Sequence, residues 1–529
     1  PAPNPDDLAR LEAHSLEEQE HAFVAPDLPP VDALTVAEGA AITPGYYQTS
    51  EYMAGTVAVG IVLVESNGVG DTSTENWTEE EKQTTFNEIV AGLNWWAELE
   101  PRANLSFVYD DHFSNPLPTS VEPISRSYFD QKYWIADALN GLGYYSSSYF
   151  TQVRDYNNAI RNTYQTDWAF TIFVVDSAAD GDNRFTDGLF AYAYLGGPFM
   201  VMTSGNNGYG PGNMDAVTAH EVGHIFHAYD QYASAGQSCT QRTGYLDVEN
   251  QNSQYGGCLT NETSIMRGQI YPYQAKAIDD YAAGQIGWRD LDGDNILDPL
   301  DTPLALVISN FVQTDNAITA VGTTSLTPYP SPSRTSVTIN RLTGVYYRFN
   351  GGAWQPAQAD DGLFNETAET YNFSVNNILP GIYDLEVTAR DSAGNVVQNS
   401  VHQTFFVLDD IDGGLNTQFY PVEGIISTSA TASLQGVAYD LGDIPLTKIE
   451  YRFEGGPWQA VQSQDGAIDS DYEPFSIPLD THELEPGAYL VEARATNQNG
   501  YVEINGAQQE ITVSNQTIYT IALPIVFKQ

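Results

Sequence analysis

A nonapeptide that returns at a fixed offset constrains the C-terminal part of this chain more than any other feature. Tyr347-Arg348-Phe349-Asn350-Gly351-Gly352-Ala353-Trp354-Gln355 recurs as Tyr451-Arg452-Phe453-Glu454-Gly455-Gly456-Pro457-Trp458-Gln459, a shift of 104. Leu379-Pro380-Gly381-Ile382-Tyr383 recurs as Glu485-Pro486-Gly487-Ala488-Tyr489, a shift of 106, and an alternating strand follows each copy, Asp384 to Ala389 and Leu490 to Ala495. Two strand-rich units of this period, punctuated by Gly, Pro and Asn turns, read as tandem β-sandwiches. Residues 303–409 and 410–515 are therefore expected to form two all-β modules, with the repeated tryptophans in their cores. Neither module carries a catalytic pattern. The tail, 516–529, is too short to span a bilayer.

The 529 residues exceed what one core can organise, so three or more domains are expected. From Tyr46 the pattern changes. Thr56 to Val64 reads as a buried strand. Thr78-Glu79-Glu80-Glu81 is a capping box, and Phe86, Ile89, Val90, Leu93 and Trp96 follow at helical spacing. Leu105 to Tyr109 is a second strand, 128–164 suggests two helices, and Ala169 to Val175 is a third strand. Phe190 to Met202 is a fourth, interrupted by Gly196-Gly197-Pro198, and Tyr273 to Trp288 closes the region as a helix. Residues 46–289 thus mix strands and helices where 303–515 does not.

Within this region lies His220-Glu221-Val222-Gly223-His224. Two histidines four apart share one face of a helix, about one turn from each other. Their rings can converge on one Zn²⁺, and the adjacent glutamate can serve as a general base. Asn213 stands at a good N-cap position, and Val217, Val222, Ile225 and Phe226 give the helix a buried side. Asp230 follows His224 by six residues. The resulting spacing resembles H-E-x-x-H-x-x-G-x-x-(H/D), the signature of the metzincin metalloproteases. Ser264-Ile265-Met266, 36 residues after Asp230, resembles the Met-turn of the same family.

The resemblance covers about residues 50–290. It implies an α/β catalytic domain, 46–289, in which His220, His224 and Asp230 hold Zn²⁺, Glu221 is the general base and Met266 lies beneath the site. It also implies a tyrosine oxyanion donor after the Met-turn, for which Tyr271 and Tyr273 are the candidates. Phe199 to Thr203 is expected near the cleft edge, where an extended substrate can pair. The chain departs from the pattern at His227, which stands where the family has glycine. A positive φ there suits histidine less well than glycine. Residues 1–45, acidic and proline-rich at both ends, contain a possible helix from Asp6 to Phe23 and a linker from Pro26 to Pro30. They are read either as a pro-segment over the cleft or as a surface arm. The two sandwich modules resemble the immunoglobulin-like modules of bacterial secreted proteins.

Between these regions, 290–302 reads as a calcium loop and linker. Asp290, Asp292, Asp294, Asp298 and Asp301 fall at positions 1, 3, 5, 9 and 12 of a twelve-residue loop, and Ile296 offers its carbonyl at position 7. Asn295 replaces the usual glycine at position 6. A looser group, Asp176, Asp180, Asp182 and Asp187, is either a further ion site or a solvated loop.

Cys239 and Cys258, the only cysteines, share the loop between Asp230 and Met266. They are read as a disulfide worth about 3 kcal/mol in an extracytoplasmic protein, with two free thiols as the alternative. A removed leader ahead of Pro1 is the matching expectation. With 69 acidic and 20 basic residues, net charge −49, nucleic acid and anionic membrane surfaces are poor partners. No apolar run is long enough for a membrane span.

The expectation is a secreted zinc endopeptidase acting on a protein or peptide substrate, with zinc and calcium as ions. Its sandwich modules are open to contact with a surface polymer or protein. One alternative is a non-catalytic surface or matrix protein carrying a retired protease domain. Another is a thermolysin-type enzyme using Glu249 or Glu262 as third ligand.

Overall fold

The computed structural model describes residues 21–26, 42–314, 316–379, 381–407, 414–420, 426–427, 431–463, 465–481 and 484–514. Most of the N-terminal segment, including the helix expected from Asp6, and all of the 516–529 tail lie outside these residues. The chain divides into two compact units. The first is 1–304 with 326–342 and 391–395; the second holds the remainder, so two loops of the span 303–409 pack with the first unit.

The first unit is built on a six-stranded mixed sheet. In chain order its elements are β1 (His21–Phe23), β2 (Thr56–Ser66), α1 (Glu79–Leu99), β3 (Ser106–Thr119), α2 (Gln131–Gly141), α3 (Tyr149–Tyr164), β4 (Trp168–Val175), β5 (Ala191–Tyr194), β6 (Phe199–Thr203) and α4 (Met214–Ile225). The strand order is β1-β5-β6-β4-β2-β3. Strands β3, β2, β4 and β6 run parallel, β5 is antiparallel to β6, and β1 is parallel to β5. His21–Phe23, read above as the end of a helix, is therefore a strand. Phe23 is held there by Tyr128, Tyr192 and Tyr194, at ring distances of 4.2, 5.7 and 5.9 Å.

Strand β2 is buried on both faces, which its unbroken apolar run requires. Val57, Val59, Ile61 and Leu63 face a core shared with α1 and α4; Ala58, Val62 and Val64 face a second core shared with α2 and α3. The capping box at Thr78 forms: its hydroxyl accepts from Glu81 N, and the Glu81 carboxylate accepts from Thr78 N at 2.8 Å. Helix α1 then backs α4. Gly92 makes the approach possible, because a Cβ there would stand 2.5 Å from the Asp215 carbonyl. Trp96 Nε1 donates to Ala219 O at 2.9 Å, pinning the middle of α4.

Two expectations are corrected. The single helix over Tyr273 to Trp288 is instead two short ones, α5 (Ile270–Gln274) and α6 (Asp280–Gln285). The chain turns at Lys276, φ 50°, and restarts where the Asp279 carboxylate accepts from Tyr281 N and Ala282 N. Phe199–Thr203, expected near the cleft edge where a substrate can pair, lies inside the sheet with β5 and β4 bonded to its two sides.

The second unit is β-rich. A sheet of 358–359, 368–375, 317–326 and 304–314 and a sheet of 355–356, 342–349, 381–391 and 401–407 form the first module. Tyr347 stacks on Phe373 across them at 4.0 Å, and Phe311 meets Phe405 at 5.7 Å. In the second module one sheet contributes Leu415, Leu434 and Phe475 and the other Ile449, Val491 and Ile511 to a single core. Both are β-sandwiches. The repeated tryptophans are not in these cores. Trp354 and Trp458 are half-buried and lie over arginines, Arg348 at 4.4 Å and Arg452 and Arg494 at 4.6 and 4.1 Å. Those arginines pair with Glu386, Glu492 and Glu450, so the repeat encodes an ion-paired stack on the outside of each sandwich.

Candidate metal centre

Helix α4 ends at Ile225, two residues before His227. His227 takes φ 80°, a left-handed conformation that glycine adopts more readily, and its N–H donates to His224 O at 2.9 Å. The chain then doubles back. Ala228 N donates to Gly223 O, Gln231 N donates to Met266 O, and Asn250 Nδ2 donates to Asp230 O. These contacts place Asp230 opposite the two helix histidines.

Three donor atoms meet there. His220 Nε2 and His224 Nε2 are 3.2 Å apart, and Asp230 Oδ1 lies 3.1 Å from the first and 3.2 Å from the second. All three residues are buried. The other nitrogen of each ring donates to a carbonyl, His220 Nδ1 to Ile265 O at 2.8 Å and His224 Nδ1 to Ala228 O at 2.7 Å. Each Nε2 therefore presents a lone pair toward its partner and toward a carboxylate. Three electron-rich atoms in van der Waals proximity repel unless a cation joins them. Asp230 Oδ2 is buried with no hydrogen-bond partner, a second sign that the carboxylate is built for an ion.

The size of the triangle tests the fit. Donors at about 2.1 Å from a tetrahedral Zn²⁺ stand about 3.4 Å apart. The observed edges are within a few tenths of that value, so the residues present suit the ion.

Glu221 is fully buried beside His220. Ser264 opens a tight turn by accepting from Met266 N, and Met266 then lies under the helix. A Cβ on Gly223 would stand 2.5 Å from the Met266 sulfur. A side chain at position 223 would therefore displace the Met266 thioether. His227 takes no part in the triangle. Burial, and then the charge of Arg334, depress its basicity, and its ring fills the space above Gly196. Its Nε2 is buried without a hydrogen-bond partner.

The tyrosines expected after Met266 stand elsewhere. Tyr271 is exposed; Tyr273 stacks on Trp95 and bonds Asp215. Neither makes a hydrogen bond or ring contact to the three donors. An aromatic ring near the centre is that of Tyr232, 6.5 Å from the His220 ring. Its position two residues after Asp230 was the available sequence signal. Glu249 pairs with Arg242 and bonds Gln251, and neither it nor Glu262 joins the triangle. Cys239 and Cys258 form a disulfide.

In the acidic loop, Asp290, Asp292 and Asp294 offer oxygens within 4.8 Å of one another. Asn295 has φ 76°, so asparagine does the glycine's work at that position. Asp298 turns away: it pairs with Arg289 and accepts from Leu291 N at 2.8 Å. Ile296 donates its N–H to Asp294 Oδ1 at 2.8 Å. Asp301 is raised by burial and then by the charges of Asp294, Asp292 and Asp298, and it is not one of the three acids whose oxygens meet. The Asp180, Asp182 and Asp187 carboxylates accept from nearby backbone amides.

No protein-family model matches the chain, and no curated protein matches it in sequence. Solved structures similar to parts of it include fibronectin(III)-like modules of Clostridium thermocellum CbhA. These are 12% identical over 41% of this chain and 100% of that one, with a TM-score of 0.15. A tetra-tandem repeat from the extending region of a large adhesion protein is 21% identical over 41% and 50%, TM-score 0.16. Domains 4 and 5 of the S-layer protein SbsC are 8% identical over 26% and 68%, TM-score 0.14. Likenesses this weak carry no argument about what the chain does.

Proposed function

We propose that the chain is a zinc-dependent endopeptidase of the metzincin type. The observation that carries this reading is the triangle of His220, His224 and Asp230 donors, sized for a tetrahedral ion and set beside a buried glutamate. His220, His224 and Asp230 would hold the ion by Nε2, Nε2 and Oδ1. When bound, zinc supplies a Lewis acid that polarises a carbonyl and acidifies water. Glu221 takes the proton of the attacking water and passes it to the leaving amine. The Ile265 and Ala228 carbonyls fix both imidazole tautomers, which keeps the Nε2 lone pairs available. Met266 supports the helix from beneath. The disulfide favours an extracytoplasmic location. Metal analysis of the purified protein, with a casein digest run with and without chelator, tests the reading. Bound zinc and chelator-sensitive cleavage are expected. Metal-free protein or chelator-resistant cleavage would sink it.

The same reading gives 290–302 a calcium ion, held by Asp290, Asp292 and Asp294. Calcium should raise the melting temperature by roughly 3 °C with zinc held constant. Asp292→Asn/Asp294→Asn should lose most of that rise. Calorimetry showing the same rise in the variant would remove the loop from the account.

A further inference from the structure

With β1 set aside, the strand order leaves β5 at one edge of the six-stranded sheet. β5 is Ala191-Tyr192-Ala193-Tyr194, followed by Leu195, and it carries neither charge nor proline. Edge strands ordinarily hold such residues to discourage pairing with another chain. Here the chain covers its own edge. His21, Ala22 and Phe23 lie in parallel register with Tyr192, Ala193 and Tyr194, and Leu195 N donates to Phe23 O at 2.7 Å.

One side chain anchors the pairing. Phe23 stacks on Tyr128 and meets the rings of Tyr192 and Tyr194. The cradle it enters is braced without it. The Tyr128 and Tyr194 hydroxyls bond each other at 2.8 Å, Gln131 Nε2 donates to Tyr194 Oη at 2.9 Å, and Tyr192 Oη donates to Gln131 Oε1 at 3.0 Å. All three hydroxyls are therefore satisfied from within the cradle, which presents ring surface to its occupant. Next along, Val24 is 71% exposed and Ala25 is buried. That alternation is how an extended peptide is held by one of its faces.

The covered edge adjoins the metal centre. Ala191 and Ala193 share a core with Ala219 and Val222 of α4. β5 also runs on into Gly196, whose N–H donates to His224 O at 3.0 Å.

We propose that the outer edge of β5 and the Tyr128, Tyr192 and Tyr194 cradle form a binding site for an extended peptide bearing an aromatic side chain, and that residues 21–25 fill this site from within the chain. Strand addition supplies main-chain bonds for affinity, and the cradle selects the aromatic residue. The resident occupant is weak by construction. It pairs over three residues, in the parallel sense, which is less stable per residue than the antiparallel one. Its advantage is attachment, which gives a tethered segment an effective concentration of about a millimolar. A partner that pairs along more of β5 displaces it. That this partner is the substrate rests on the peptidase reading; that the edge takes a peptide does not.

The test uses the full chain carrying Glu221→Gln, so that no probe is cut, and a fluorescein-labelled peptide copying residues 20–26. Phe23→Ser loosens the resident strand. Fluorescence anisotropy should show saturable binding to the Phe23→Ser form, with a half-saturation at least about 10-fold below that of the form with Phe23 intact. A probe with serine in place of Phe23 should bind neither form. Unlabelled peptides with tyrosine or tryptophan at that position should compete, and one with alanine should not. Tyr128→Ala added to Phe23→Ser should weaken probe binding. If far-ultraviolet circular dichroism shows that Phe23→Ser does not fold, Phe23→Leu, which keeps an apolar filler and loses the ring stack, should give the same order of peptides with a smaller gain.

A folded variant that binds the probe no better than its parent, or that binds the serine probe equally, overturns the proposal and leaves β1 as a cover for the sheet edge. With Glu221 intact, Phe23→Ser should lower KM for peptides with an aromatic residue, with kcat unchanged. Unchanged KM beside firm probe binding would overturn the substrate role. Probe binding by a protein that cleaves nothing would uphold the site and remove only the peptidase reading.

Discussion

Glu221→Ala is expected to keep its zinc and to lose peptidase activity by about two orders of magnitude or more. The two halves of that result have separate physical origins. Zinc content depends on the three atoms of the triangle, and Glu221 supplies none of them. Activity depends on a group that can accept a proton beside the ion, and Glu221 is the buried acid adjoining His220 on the helix. Glu221→Gln sharpens the experiment, because it keeps shape and hydrogen bonding but removes the basic oxygen. Both variants should retain metal, with Glu221→Gln as inactive as the alanine form. Turnover in either at the parent rate would remove the catalytic assignment. A parent protein that binds zinc and cleaves nothing would return the chain to the alternative of a non-catalytic surface protein.

The sequence announced those parts of the molecule whose physics is local. A capping box at Thr78, a buried run over 56–64 and turn-punctuated repeats after 303 each form by short-range rules, and each appears as expected. The triangle was also legible, since i, i+4 spacing fixes two histidines and the 230 position follows from a helix that stops. What decided the remaining features lies far away in the chain. The carbonyls that orient the rings belong to Ile265 and Ala228, and a main-chain atom leaves no mark in a sequence. The helix expected over 273–288 broke because Lys276 enters a left-handed turn, which no glycine or proline foretold. The tryptophans of the repeat looked like core residues. They instead lie over arginines whose glutamate partners sit about 40 residues away in the chain.

Asp230→Ala should release zinc, and His227→Ala should keep it. His220, His224 and His227 follow one another at i, i+4 and i+7, so a continuous helix would turn all three to one side. Residues seven apart on such a helix are separated by about 10.5 Å along its axis, whereas donors on one tetrahedral ion stand about 3.4 Å apart. The structure resolves the conflict by ending the helix at Ile225 and turning the chain at His227. Asp230 Oδ1 then completes the triangle, while the His227 ring packs over Gly196 with its carbonyl accepting from Thr243 Oγ1 at 3.0 Å. Removing Asp230 takes away the one anionic donor and leaves two imidazoles to hold a dication. Changes to the groups that merely support a ligand already weaken metal binding by about 10–100-fold, so loss of the ligand itself should exceed that. Removing the His227 ring should cost stability and not zinc. His227→Gly separates the two reasons for that cost, because glycine accepts φ 80° without strain but leaves the same empty space as alanine. The glycine form should therefore melt above the alanine form, with zinc content equal to that of the parent. Zinc lost from His227→Ala and retained by Asp230→Ala would overturn the ligand set and, with it, the likeness to the metzincin site.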